Sequence, residues 1–429
     1  MIRFFMTVLV TLLALNAQAG VKIEHWVAPS GARVYYIETH VLPILDVSVD
    51  FSAGTAFDPE GKTGLASLTR GLLEGGAGDM DEEAISGRQV DIGAQMGGSA
   101  DNDRAGVTLR TLSYQKEKTA ALDLMRLVLA RPTFPEAVLA REKARTISAI
   151  QEADTKPDHI AAKRFAAAIY PGHPYGMSAT TDSVARISRD DLVAFHQRHY
   201  SAKRATVSII GDVDHAEAER IAQSLTEELP AGEAESPVPV ITLPKSELIK
   251  VPHPAAQSHI HIGLPAVKRG DPDYFALLVG NYTLGGGGFV SRLMKEVREK
   301  KGYAYSVYSY FAPRKLAGPF EIALQTKREQ ANEALKLTNE VLSGFMSSGP
   351  TEAELAAAKK NLIDGFGLRI DSNAKLLSHL VTIGFYGLPL NYLDEFPAKV
   401  AAVTTRDVKE AFARHVKPEN LMTVIVAVD

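Results

Sequence analysis

An internal repeat constrains this chain more than any other feature. Glu136-Ala137-Val138-Leu139-Ala140 matches Glu352-Ala353-Glu354-Leu355-Ala356 at four of five positions, 216 residues further on. The same shift carries Asp191 to Asp407, Arg198 to Arg414 and His199 to His415, within two helix-then-strand passages. The pair ALDLMRLVLA at Ala121 and ALKLTNEVLS at Ala334 keeps nearly the same offset. Collinear self-similarity at one period marks a duplicated structural unit. The 429 residues also exceed what one hydrophobic core usually holds, about 250 to 300 residues.

Between the copies, Leu229 to Pro239 trades periodic apolar spacing for proline, glycine and charge, which reads as a semi-extended linker. Alternation over Leu45–Phe51 predicts a half-buried strand, and Glu117–Ala130 and Asp190–Arg198 show helical spacing. Ala205–Gly211 and Leu421–Val428 are β-branched runs suited to a sheet interior. The fold class expected is α+β: two homologous domains in tandem, each a mostly antiparallel sheet with helices packed on one face. The division is residues 1–19, a leader; 20–228, the first domain; 229–245, the linker; and 246–429, the second domain.

Composition removes several function classes. With 47 Lys plus Arg against 51 Asp plus Glu, the net charge of −4 carries no chain-wide basic footprint for nucleic acid. No cysteine is present, so thiolate metal sites, iron–sulfur clusters and cysteine nucleophiles are excluded. At the amino terminus, Arg3, the apolar stretch Phe4–Leu15 and Ala17-Gln18-Ala19 read as a signal peptide cut after Ala19. About 12 apolar residues fall short of the roughly 20 that span a bilayer, so no membrane span is expected after cleavage. The mature chain is expected to be exported, and periplasmic in a Gram-negative cell.

The passage from Ser291 to Tyr310, preceded by Gly285-Gly286-Gly287-Gly288, carries the chemistry. It resembles the carboxy-terminal signature of the pitrilysin/insulinase family of zinc peptidases, the inverzincins. In that family a glycine-rich turn, an S-R-L helix and an L-R-E-x-x-G-x-x-Y run supply an Arg and a Tyr. Arg298 and Tyr305 match that pair, with Val297 where the family usually has Leu. A continuous α-helix would place residues seven apart on one face. Gly302 instead suggests a helix ending near Lys301 and a strand over Tyr303–Phe311, with the two side chains meeting at the junction. An Arg fork can grip a peptide carbonyl, and a Tyr hydroxyl can donate to a developing oxyanion. Taken alone, the same residues also fit a solvated basic helix face and core aromatics. The glycine run lacks the Gly-Lys-Ser/Thr of a phosphate loop and reads as a turn able to approach a substrate backbone or hinge a lid.

The resemblance implies a metal motif H-x-x-E-H in the first domain, and it is missing. The family passage G-L-A-H-x-x-E-H-M-L aligns with Gly64 to Leu73, putting Ser67 and Gly71 in place of both histidines and Arg70 in place of the glutamate. A fixed cation at Arg70 repels a divalent ion. Counting seven on from Glu152 puts His159 at the third ligand position. His259-Ile260-His261, on one face of a predicted strand, and His196 with His199, at helical spacing, have no acidic partner nearby in sequence. The recurrence of His199 as His415 favours a structural role.

The resemblance thus implies a non-catalytic subunit of a heterodimeric zinc peptidase. It would hold no cofactor of its own and would lend Arg298 and Tyr305 to the zinc site of an H-x-x-E-H-bearing partner of the same family, for hydrolysis of peptides. A purely structural subunit and a self-sufficient peptidase with atypical ligands are the alternatives.

Overall fold

The computed structural model describes residues 21–230, 232 and 237–428. The leader expected over residues 1–19 and part of the expected linker lie outside the described residues. In the first half, β1 (Glu24–Val27), β2 (Arg33–Glu38), β3 (Ile44–Phe51), β4 (Gln95–Gly97), β5 (Ala105–Leu112) and β6 (Ala205–Gly211) form one sheet in the order β1-β2-β6-β3-β5-β4. Only β2 and β6 pair in parallel. In the second half, β7 (Glu247–Val251), β8 (Gln257–Val267), β9 (Ala304–Phe311), β10 (Gly318–Lys327) and β11 (Met422–Val426) take the order β9-β10-β8-β11-β7. Here only β11 and β7 are parallel.

The helices of the first half include α1 (Leu65–Gly71), α2 (Glu82–Asp91), α3 (Gln115–Ala130), α4 (Glu136–Ala153), α5 (Pro157–Ile169), α6 (Arg189–His199) and α7 (His215–Thr226). Those of the second half are α8 (Tyr274–Asn281), α9 (Ala331–Ser348), α10 (Glu352–Asp364), α11 (Asn373–Tyr386), α12 (Tyr392–Ala402) and α13 (Thr405–His415). The starts of α3 and α9, α4 and α10, α5 and α11, and α6 and α13 keep the repeat's offset. The local chemistry repeats with them. Asp191 closes a capping box with Ser188 at the start of α6, and Asp407 does so with Thr404 at α13. Each carboxylate satisfies donors that the first helical turn leaves open.

One helix from each half crosses to the other. The α5 helix buries Ala161, Phe165 and Ile169, a stripe at four-residue spacing, and lies on β8 and β11 of the second sheet. Its repeat equivalent α11 lies on β2, β3 and β6 of the first sheet. Both crossings need a close approach that only glycine allows. A Cβ on Gly384 of α11 would stand 2.6 Å from the Tyr35 ring, and one on Gly263 of β8 would stand 2.9 Å from the Phe165 ring. Each sheet therefore carries its own helices on one face and a borrowed helix on the other. The two halves are interlocked, and neither sheet is buried by its own half alone.

Candidate functional site

The segment leading into Arg298 is pinned before it reaches the site. Arg292 donates to both carboxylate oxygens of Glu354 on α10, at 2.8 and 2.7 Å, and to the Gly349 carbonyl at 3.0 Å. Glu354 also closes the capping box of α10 with Thr351. The Arg292 hydrogen bonds hold the Glu354 carboxyl at about 2, below the usual carboxylate range. A depressed carboxyl stabilises the fold fully above its ordinary pKa and loses that contribution as pH falls toward the depressed value. The stability gap between wild type and Glu354→Gln, read by urea unfolding, is therefore expected to be widest near neutrality. It should close as pH falls from about 4.5 toward about 2. A constant gap across that range would contradict the pairing.

Beyond Arg292 the chain winds as a π-helix over Met294–Lys300 and stops at Gly302, whose φ is +65°. Strand β9 follows, and it opens on a bulge. Ala304 pairs with Thr326 and Ser306 with Gln325, so Tyr305 is the surplus residue with no partner across the ladder. Ala304 and Val307 are both buried, an odd spacing that simple alternation forbids and a bulge permits. The bulge turns Tyr305 outward, leaving it 78% exposed. The Arg298 guanidinium lies 5.3 Å from the Tyr305 ring centre and 5.0 Å from that of exposed Phe289. Among the described residues neither Arg298 nor Tyr305 makes a side-chain hydrogen bond or ion pair. Two aromatic faces hold the fork in place while its donors stay open.

The four glycines do not act alike. Gly285 is buried, and a Cβ there would stand 2.4 Å from Ser309 Oγ, so it serves the packing of the turn on β9 and not a substrate. Gly288 turns the chain at φ +60° and is exposed, as is Gly286. The turn over Tyr282–Gly286 is itself π-helical and is tied to β9 by Asn281, which donates to the Ser309 carbonyl at 3.0 Å.

In the first half, Asp58 accepts from Gly64 and Ala66 backbone N–H groups at 2.7 Å each and so caps α1. Burial pushes its carboxyl up to about 6 against those hydrogen bonds. Ser67 and Gly71 lie one turn apart on the exposed side of α1, whereas Arg70 is buried. Arg70 Nε donates to the Gly106 carbonyl at 2.6 Å, and Nη1 meets Glu74 at 3.3 Å. Beside this helix opens a polar cavity of about 400 Å³, lined on the α4 side by Val138, Arg141, Glu142 and Arg145. Its carboxylates are already paired: Glu74 with Arg70 and Gln89, Glu82 with Arg141, and Glu142 with Arg141 and Arg145. A zinc site needs three or four free N or O donors, and these residues do not fit one.

The structure does not bring His159 to this cavity. It sits on α5, the helix that crosses to the second sheet, half exposed and 3.7 Å from Asp154. Glu152 pairs with Lys156. The acidic group that α4 brings to the cavity lined by Gly71 is Glu142, on a face with Val138 and Arg145 that i, i+3, i+4 spacing would have marked.

Four of the other histidines, His196, His199, His261 and His415, are held by structural partners. His196 is buried and within 2.8 Å of the Leu129 carbonyl, and His199 contacts Arg204 at 3.1 Å. His415 sits 2.9 Å from the Ala266 carbonyl and 3.0 Å from Asp273. Asp271, Asp273 and His415 are close enough to surround an ion, but Arg414 already grips Asp273 with two hydrogen bonds of 2.7 Å. His261 meets Glu321 at 2.6 Å, and Tyr310 donates to the other oxygen of that carboxylate at 2.5 Å. Glu321 is the acidic partner that sequence proximity did not reveal.

Known proteins share this chain's sequence pattern and fold. Residues 33–183 match the family profile described as insulinase, peptidase family M16, and residues 186–362 match the peptidase M16 inactive domain. The crystal structure of a peptidase M16 inactive domain from Pseudomonas fluorescens superposes with a TM-score of 0.91 at 34% identity, over 95% of this chain and 98% of that one. A Helicobacter pylori protein named non-peptidase homolog YmxG is 24% identical over 99% of this chain and 98% of its own length. The periplasmic protease PqqL of Escherichia coli shares the fold at 17% identity and a TM-score of 0.81, with 96% of this chain covering 46% of that one. The chain belongs to peptidase family M16, among the members that lack the H-x-x-E-H metal motif.

Proposed function

We propose that this protein is the non-catalytic subunit of a heterodimeric zinc peptidase and that it presents Arg298 and Tyr305 to the metal site of a partner subunit. The observation that carries the reading is an exposed Arg/Tyr pair with open donors on a chain whose own metal-motif positions hold Ser67, Arg70 and Gly71. The partner's zinc centre supplies the attacking water. This chain's share is to hold the peptide and to receive charge: the Arg298 fork binds a substrate carbonyl, and the Tyr305 hydroxyl donates to the oxygen that becomes negative. Exposed Gly286 and Gly288 leave backbone open beside Phe289 for the peptide to pass.

The chain is proposed to work outside the cytoplasm. The leader over residues 1–19 and the likeness to a periplasmic protease support that location. The test is reconstitution. Mixing the purified chain with an H-x-x-E-H-bearing family member encoded beside it is expected to yield a stable complex that cleaves peptides, with neither chain active alone. Complex formation without any gain in turnover would leave a purely structural subunit as the correct reading.

A further inference from the structure

A second cavity, unrelated to the Arg/Tyr pair, lies in the second half. It measures about 330 Å³ and opens between the turn after β8 and the α11–α12 connection. Tyr274, Phe275, Leu388 and Tyr392 supply apolar walls, and Arg269 and Lys399 supply positive charge. Lys399 is partly neutralised, standing 2.8 Å from Glu395 and over the Phe275 ring at 5.6 Å. Arg269 is not. Its guanidinium rests 5.3 Å from the Tyr386 ring centre, its Nε is buried without a hydrogen-bond partner, and its side chain has no ion pair among the described residues.

The one carboxylate lining the cavity does not supply that partner. Asp271 accepts from the Asp273 backbone N–H at 3.0 Å and lies 3.6 Å from His415 Nε2, on the side facing α13. Half-buried at the cavity wall with no paired carboxylate among the described residues, the Arg269 guanidinium keeps an uncompensated charge that an entering anion can meet. Aromatic walls around a fixed cation select an anion that brings an apolar body with it. The volume is near the lower end for ligand cavities, about 300 to 1,000 Å³, and suits a body the size of one large side chain.

We propose that this cavity binds an organic carboxylate borne on an apolar group, with the carboxylate on Arg269 and the apolar group between Phe275, Leu388 and Tyr392. Two sources share that chemistry: a peptide ending in an apolar residue and a free amphiphilic acid. The site is independent of the proposed partnership, because none of its residues belongs to the Arg298 cluster.

The test titrates the full chain calorimetrically with three probes: N-acetyl-phenylalanine, N-acetyl-phenylalaninamide and octanoate. Saturable binding of at least one acid is expected, with the amide at least about tenfold weaker than N-acetyl-phenylalanine if that is the acid bound. Preference for N-acetyl-phenylalanine identifies the peptide terminus as the source, and preference for octanoate identifies the free acid. Arg269→Gln is expected to weaken acid binding by about tenfold or more, and Leu388→Trp, which fills the cavity, is expected to abolish it. The acid-against-amide comparison needs no variant and stands even if Arg269→Gln fails to fold. Equal binding of N-acetyl-phenylalanine and its amide, no binding of any probe to wild type, or a folded Arg269→Gln that binds as wild type does would each overturn the proposal.

Discussion

Replacing Tyr305 with phenylalanine in the proposed two-chain enzyme is expected to lower kcat by about 10²- to 10³-fold, the scale of losing one oxyanion donor, while KM changes little. The ring that Arg298 rests against would remain, so the substitution removes a hydroxyl without disturbing the stack. The hydroxyl would bond the substrate oxygen more strongly as negative charge gathers there, so its loss falls on the transition state. Arg298→Ala is expected to act on both constants, because a carbonyl clamp holds ground and transition states alike. Complex formation should survive both changes. Full turnover in the Tyr305→Phe complex would remove the catalytic role from this residue.

The second large effect is expected at Asp103, far in sequence from that site. Asp103 is 4% exposed, and its carboxylate accepts from the hydroxyls of Tyr175 and, at 2.8 Å, Tyr386, and from the Lys315 backbone N–H at 2.9 Å. Tyr386 lies on α11 and Lys315 lies between β9 and β10, so one side chain of the first half fastens two segments of the second. Burial, followed by the Asp103 charge, pushes both tyrosine hydroxyls well above their ordinary pKa, so they remain donors throughout the working range. Asp103→Ala would take the acceptor from three donors, the buried Tyr175 hydroxyl and the part-buried Tyr386 hydroxyl and Lys315 N–H, for an expected loss of about 3 kcal/mol. Tyr386→Phe removes a single hydrogen bond together with its donor and is expected to cost only about 1 kcal/mol. Urea unfolding of the two variants measures both. An Asp103→Ala midpoint equal to that of wild type would show that the crossing helices alone hold the halves together.

Local signals made much of the fold legible. The repeat offset located equivalent helices, and Asp191 and Asp407 marked equivalent caps, because capping depends on three or four adjacent residues. The crossing of α5 and α11 was not legible. A helix stripe such as Ala161, Phe165 and Ile169 states that one face is buried, but it does not say against which sheet. The boundary between halves is blurred for the same reason: β6 belongs to the first sheet although it follows the residue 183 at which the family profile of the first half ends.

At the site, the family resemblance singled out Arg298 and Tyr305, and Gly302 marked the helix end between them. It did not show the π-helical winding, nor the bulge at Tyr305, which arises from pairing with Thr326 and Gln325 about twenty positions away. The count from Glu152 to His159 followed a spacing within one chain segment, while the fold had already turned that segment toward the second sheet. Glu142 of α4 is the carboxylate that three-dimensional packing adds to the cavity shared by Gly71, Glu74 and Glu82.

If this chain completes a hydrolytic centre whose metal another chain holds, metal should follow the partner and not the isolated chain. Zinc determined by mass spectrometry is expected at well under about 0.1 per isolated chain and at about one per heterodimer after assembly. About one tightly held zinc per isolated chain, accompanied by peptidase activity that Tyr305→Phe abolishes without any partner present, would contradict the account.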